Sequence, residues 1–201
     1  MMLEVSCLAH TLQINNYDPS ALRIIEIFNL TFRAKFNTVL IGGADEPLYE
    51  PACEGMPAKL SFRHDYVSSA MHEISHWVIA GEKRRLLEDY GYWYEADGRD
   101  TTQQKAFEQV EIKPQAVELL FHFAIGLSFR VSVDNLGIPE YDARTFECDV
   151  FDQARRFLNA QMSDQMPSRA LCFIKALADA RGYDFQNDHA LYQWLSQSVL
   201  H

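Results

Sequence analysis

Tyr66-Val67-Ser68-Ser69-Ala70-Met71-His72-Glu73-Ile74-Ser75-His76-Trp77-Val78-Ile79-Ala80-Gly81-Glu82 is the stretch around which the rest of the chain can be organised. Val67, Met71, Ile74 and Val78 recur at steps of four, three and four, the apolar stripe of an amphipathic helix, and Gly81 is the expected terminator. On the neighbouring face His72 and His76 fall one turn apart, so both imidazoles point the same way and can share one metal ion. Glu73 is rotated by about 100° from His72 and borders the site without having to be a ligand. The competing reading is a helix with two histidines used for packing. It is disfavoured because stacked imidazoles beside a carboxylate are costly to bury unless something pairs with them.

Working outward, the 201 residues with 48% apolar content can bury one sizeable core, and a single domain spanning residues 1–201 is expected. A formal net charge of −10 argues against a general nucleic-acid or anionic-membrane binder, since those partners reward clustered positive charge. No apolar run is long enough to span a bilayer and no secretory signal is apparent, so a cytoplasmic site of action is expected. Cys7, Cys53, Cys148 and Cys172 form no CxxC pair and are expected to be buried free thiols.

Upstream of the histidine helix, Asp18-Pro19-Ser20 signals a helix start, and Leu22, Ile25, Phe28 and Phe32 continue it to about Phe36. Thr38-Val39-Leu40-Ile41 predicts a strand closed by Gly42-Gly43, residues 44–57 a long loop, and Lys59 to His64 a second strand. Downstream, Glu82-Lys83-Arg84-Arg85 is a small basic cluster, read either as a solvated helix end or as a docking patch. Tyr90 to Asp100 is dense in aromatics and suits a core or a pocket wall. Residues 101–128 predict helix interrupted near Pro114, followed by a strand over 129–133. Helices over about 142–161 and 168–181 follow, the latter stopping at Gly182, with a last helix starting near Asn187 or Asp188. The expected fold class is α+β, a small mixed sheet with several helices.

Glu111, Gln115, Glu118 and His122 lie at steps of four, three and four, which puts them on one side of the helix after Arg99. A carboxylate there is what a two-histidine site needs to become three-coordinate. Glu111 ranks first and Glu118 next, as ligand or as a partner behind a ligand. Glu82 ranks lower, because a helix running on through Val78-Ile79-Ala80 turns it about 240° away from His76. With zinc such a site acidifies water and Glu73 serves as base in a hydrolase, with Tyr92, Tyr94 or His122 as electrophilic partner. With Fe(II) the same ligands leave positions for dioxygen and substrate. Spacing alone does not choose between them.

The runs AMHEISHWVIAG (Ala70 to Gly81), YGYWYEADGR (Tyr90 to Arg99), EIKPQA (Glu111 to Ala116) and SVDNL (Ser132 to Leu136) resemble the elongation factor P hydroxylase family. The resemblance implies an iron-dependent monooxygenase that uses dioxygen to hydroxylate the β-lysyl-modified lysine of elongation factor P, with that factor as protein partner. It also implies likeness in fold to a small metal-dependent endoribonuclease of the zincin-like α+β type. The family's metal motif maps onto His72 and His76, and the matching EIKPQA segment onto Glu111. For a long cationic substrate, Tyr92, Trp93 and Tyr94 and the acidic residues Asp45, Glu46 and Glu50 are expected to recognise amines, and Arg84, Arg85 and Arg99 an acidic protein surface.

Overall fold

The computed structural model describes residues 20–89, 99–133, 141–159 and 166–184. Helix α1 (Ala21–Phe36) begins where Ser20 Oγ accepts the Arg23 N–H at 3.3 Å, and ends at Asn37, whose left-handed φ of 47° turns the chain into a strand. That strand, β1 (Thr38–Ala44), pairs in parallel with β3 (Ala58–Arg63), while β2 (Leu48–Glu50) pairs antiparallel on the other side of β3. The result is a mixed sheet of order β1-β3-β2. The expected closure of β1 at its glycines does not occur. The register instead slips between Ile41 and Ala44, and Gly42 makes room there, since a Cβ on it would meet Phe62 Cζ and Asp65 Oδ1 at 2.9 Å. The expected long loop contains β2, too short and too closely flanked by Pro47 and Pro51 to show a period of two.

Helix α2 (Val67–Ile79) packs on β3 and α1 on β1. Helix α3 (Thr101–Ile125) opens with a full capping box: Asp100 Oδ1 accepts the N–H groups of Thr102 and Gln103, each at 2.8 Å, and Gln103 Oε1 accepts the Asp100 N–H at 2.9 Å. It runs unbroken through Pro114, contrary to the expected interruption. The missing proline N–H frees only the Val110 carbonyl, and Val110 is 54% exposed, so water can satisfy that oxygen. Helices α4 (Arg144–Leu158) and α5 (Ser168–Arg181) pack on α3, α5 stopping at Gly182 as expected. The expected strand over 129–133 is absent: Gln115 of α3 binds the Ser132 backbone on both sides, Nε2 donating to its carbonyl at 2.8 Å and Oε1 accepting its N–H at 2.9 Å. A side chain thus does the work of a ladder neighbour.

One core joins these elements. Phe28 and Phe32 of α1, Trp77 of α2 and Phe173 of α5 pack ring on ring, with Trp77 at 5.2 Å from Phe28 and 4.9 Å from Phe32, and Phe121 of α3 lies 5.0 Å from Phe173. Each fully buried ring contributes about 1.5–3 kcal/mol. Together they fix the rotation of α2, with Met71, Ile74 and Val78 inward. The three cysteines described are free, but Cys53 and Cys172 are exposed and Cys148 half-buried, rather than buried as expected. No helix among the described residues is long and apolar enough to cross a membrane. The expected last helix and the Tyr90–Gly98 aromatic run lie outside the described residues.

Candidate metal centre

With the apolar face of α2 fixed on the core, His72, Glu73 and His76 face a cleft of about 730 Å³ walled on the other side by α3. The two imidazoles lie 4.7 Å apart, centre to centre. The helix carrying them stops at Ile79, two residues before the expected terminator, with Ala80 leaving the helix at φ −56°, ψ 123°. Two guanidinium groups take up its last carbonyls. Arg169 of α5 donates to Trp77 O at 3.1 Å, Val78 O at 3.0 Å and Ala80 O, and Arg85 donates to Ala80 O at 2.7 Å. Arg169 also stacks over Trp77 at 4.9 Å. Burial and the neighbouring charge of Arg85 pull its pKa down to about 10, which leaves it charged at neutral pH. Sequence reading passed over Arg169, because its partners are about ninety positions away.

Across the cleft, α3 supplies an acid to each imidazole. Glu111 Oε1 lies 3.3 Å from His76 Nε2, and Glu118 Oε2 lies 3.0 Å from His72 Nδ1. One turn later on α3, each acid has a neighbour behind it. Gln115 Nε2 donates to Glu111 Oε2 at 3.3 Å, and His122 Nε2 lies 3.6 Å from Glu118 Oε1. Both neighbours are anchored on the segment after α3, Gln115 on Ser132 and His122 by donating Nδ1–H to Ser128 O at 2.7 Å. Two parallel relays therefore run from that backbone, through α3, to the rings of α2. Glu111, Gln115, Glu118 and His122 share one side of α3, as the spacing predicts, and all four are buried.

The electrostatics follow. Burial disfavours charge on His72, but its bond to Glu118 and the charges of Glu118, Glu73 and Glu111 outweigh that and push its pKa up to about 10. Burial likewise works against Glu118, yet the neighbouring His122 and the bond to His72 hold it down at about 2. Glu111 is lowered too, its burial overcome by His76, His72 and Gln115. Glu73 is raised, because burial outweighs the attraction of the two histidines. His72, His76 and Glu111 each offer a ligand atom, all within 4.8 Å of one another. Glu118 stands outside that group, on the Nδ1 side of His72, which leaves Nε2 for an ion.

The remaining residues singled out above fall in different places. Glu82 is exposed and does not line the cleft; the reason is the early end of α2, not the continuing helix expected. Arg84 and Arg85 do line it, Arg84 held by Asp89 at 2.6 Å. Arg99 also lines it but is only 4% exposed, its guanidinium 4.0 Å over the Phe107 ring and donating to Gln104 Oε1 at 3.1 Å and Val133 O at 3.2 Å. Asp45, Glu46 and Glu50 do not line the cleft, and Glu50 faces Lys59 at 3.6 Å. Tyr92, Trp93 and Tyr94 lie outside the described residues. His122 sits behind Glu118, away from the cleft wall.

Fold and site together define an α+β protein with a cleft in which two histidines of one helix meet buried acids of another. A model of the elongation factor P hydroxylase family matches residues 27–191, and the chain belongs to that family. It is also 43% identical to the elongation factor P lysine hydroxylase of Haemophilus influenzae, over 77% of this chain and 85% of that protein.

Proposed function

We propose that the protein hydroxylates the β-lysyl-modified lysine of elongation factor P, with Fe(II) held by His72, His76 and Glu111 and dioxygen as co-substrate. The approach of Glu111 to His76, in a chain of that family, carries the reading. Two atoms bonded at about 2.1 Å to one ion lie roughly 3.0–3.4 Å apart when adjacent, and the 3.3 Å observed fits. Two imidazoles and one carboxylate leave positions open, and iron so held supplies dioxygen activation.

The chain's own residues do the rest. Glu118 holds the His72 ring by Nδ1 and keeps Nε2 aimed at the cleft; Gln115 holds Glu111. Glu73, with its pKa raised by burial, is the group that exchanges a proton at its carboxylate with substrate or water. Arg85 and Arg99 shape the substrate wall, and Tyr92 and Tyr94 offer ring faces to the substrate ammonium. Placing one oxygen atom in a C–H bond sends the other to water, and takes two electrons and two protons from a reductant. A translation factor as substrate places the reaction in the cytoplasm.

The test is mass spectrometry of β-lysylated elongation factor P after incubation with the purified protein, Fe(II), a reductant and air. The modified lysine is expected to gain one oxygen atom, and a variant combining His72→Ala and His76→Ala to add none. Oxygen insertion by that variant would sink the reading. Tight zinc with hydrolysis of peptide or RNA, lost in Glu73→Gln, would replace it with a hydrolase.

A further inference from the structure

The chain has 28 acidic against 18 basic residues, yet the outer wall of the cleft is cationic. Arg63 at the end of β3, Lys113 on α3 and Arg130 after α3 all line it and are all exposed. None of the three has a carboxylate within ion-pair distance among the described residues. The acids of the same cleft lie elsewhere: Asp89 binds Arg84, buried Glu111 and Glu118 face the histidines, and Glu73 sits on α2 beside them. Charge is therefore layered, negative at the floor and positive at the mouth.

We propose that this mouth docks an acidic protein surface whose carboxylates surround the cationic side chain entering the cleft. The inference rests on the reading above and specifies its partner. An ammonium alone would be repelled by three unpaired cations before reaching the acids below. Carboxylates around it neutralise that barrier and leave the amine to be drawn to the floor. A nucleic acid would satisfy the mouth but would bring phosphates towards Glu111 and Glu118, so the layering favours a protein.

The experiment measures Kd of the purified metalloprotein for β-lysylated elongation factor P, by anisotropy, at low and high salt. Combining Arg63→Glu with Arg130→Glu is expected to weaken Kd about tenfold or more at low salt and to flatten its salt dependence. Combining Arg63→Lys with Arg130→Lys should bind within about threefold of wild type, because charge is what the surface supplies. Unchanged affinity in the Glu pair, or equal loss in the Lys pair, would overturn the proposal. A structured RNA that binds more tightly than the factor and is released by the Glu pair would overturn it as well. Kd is read without turnover, so a wild type that binds the factor by this mouth but never oxidises it refutes the hydroxylase reading alone.

Discussion

Replacing Glu118 by Gln separates the ligand from the residue that orients a ligand. Glu118 Oε2 sits 3.0 Å from His72 Nδ1, and its other oxygen 3.6 Å from His122 Nε2. The amide keeps the shape. Its oxygen can still accept from Nδ1–H, and its NH₂ can reach His122 Nε2, a buried atom with no hydrogen-bond partner among the described residues. What is lost is the negative charge that makes His72 a better donor to metal. A charge-assisted hydrogen bond contributes about 1.5–3 kcal/mol, and residues behind a ligand change metal affinity by roughly 10–100-fold; the amide's retained bond puts Glu118→Gln near the lower end. Glu111→Gln removes an anionic ligand outright and is expected to cost more than about 100-fold. Titration of both variants with Co(II), or with Fe(II) without oxygen, against a competing chelator measures the two losses. A larger loss in Glu118→Gln than in Glu111→Gln would show that the two acids have been given each other's roles.

Arg169→Ala removes donors to three carbonyls at the end of α2 and a cation from the Trp77 face, so chemical denaturation should show a loss of about 2–4 kcal/mol; a loss under 0.5 kcal/mol would deny the clamp. For the metal-free protein, the raised His72 pKa contributes stability that is complete below its ordinary value of 6.5 and is lost as pH rises through about 10. The lowered Glu118 pKa contributes stability that is present above 4.5 and is lost as pH falls through about 2. Melting curves without metal should therefore fall off on both sides of a plateau between about pH 4.5 and 6.5, and Glu118→Gln should flatten both limbs. Gln115→Leu unties Ser132 and Glu111 together; hydrogen exchange should rise over residues 128–133, and metal affinity should drop by about tenfold.

The face of α2 that turns His72 and His76 towards the cleft and the four-residue row on α3 are readable from spacing alone, because helical period fixes which side chains share a side. The helix boundaries at Phe36, Arg181 and Gly182 follow from local signals that the structure honours. Three departures have non-local causes. The end of α2 is set by Arg85 and by Arg169 from α5. The alternating Phe129-Arg130-Val131-Ser132-Val133 has the pattern of a strand but finds Gln115 instead of a partner strand. Pro114 is tolerated where the carbonyl it orphans belongs to an exposed residue, Val110. The choice between Glu111 and Glu118 also lies beyond spacing, since both sit on one face and only the α2–α3 approach separates the acid near His76 from the acid on His72 Nδ1.

Since the proposed donors come from two helices locked by a shared hydrophobic interior, the residues linking Ala80 to Asp100 carry none of them. Arg85 within that connection still holds the end of α2 through the Ala80 carbonyl, so a change of length or chemistry there leaves the imidazoles in place only where that bond is kept. A repacked Met71, Ile74 or Leu119, by contrast, would move the proposed ligands directly, since all three are fully buried between the elements that carry them.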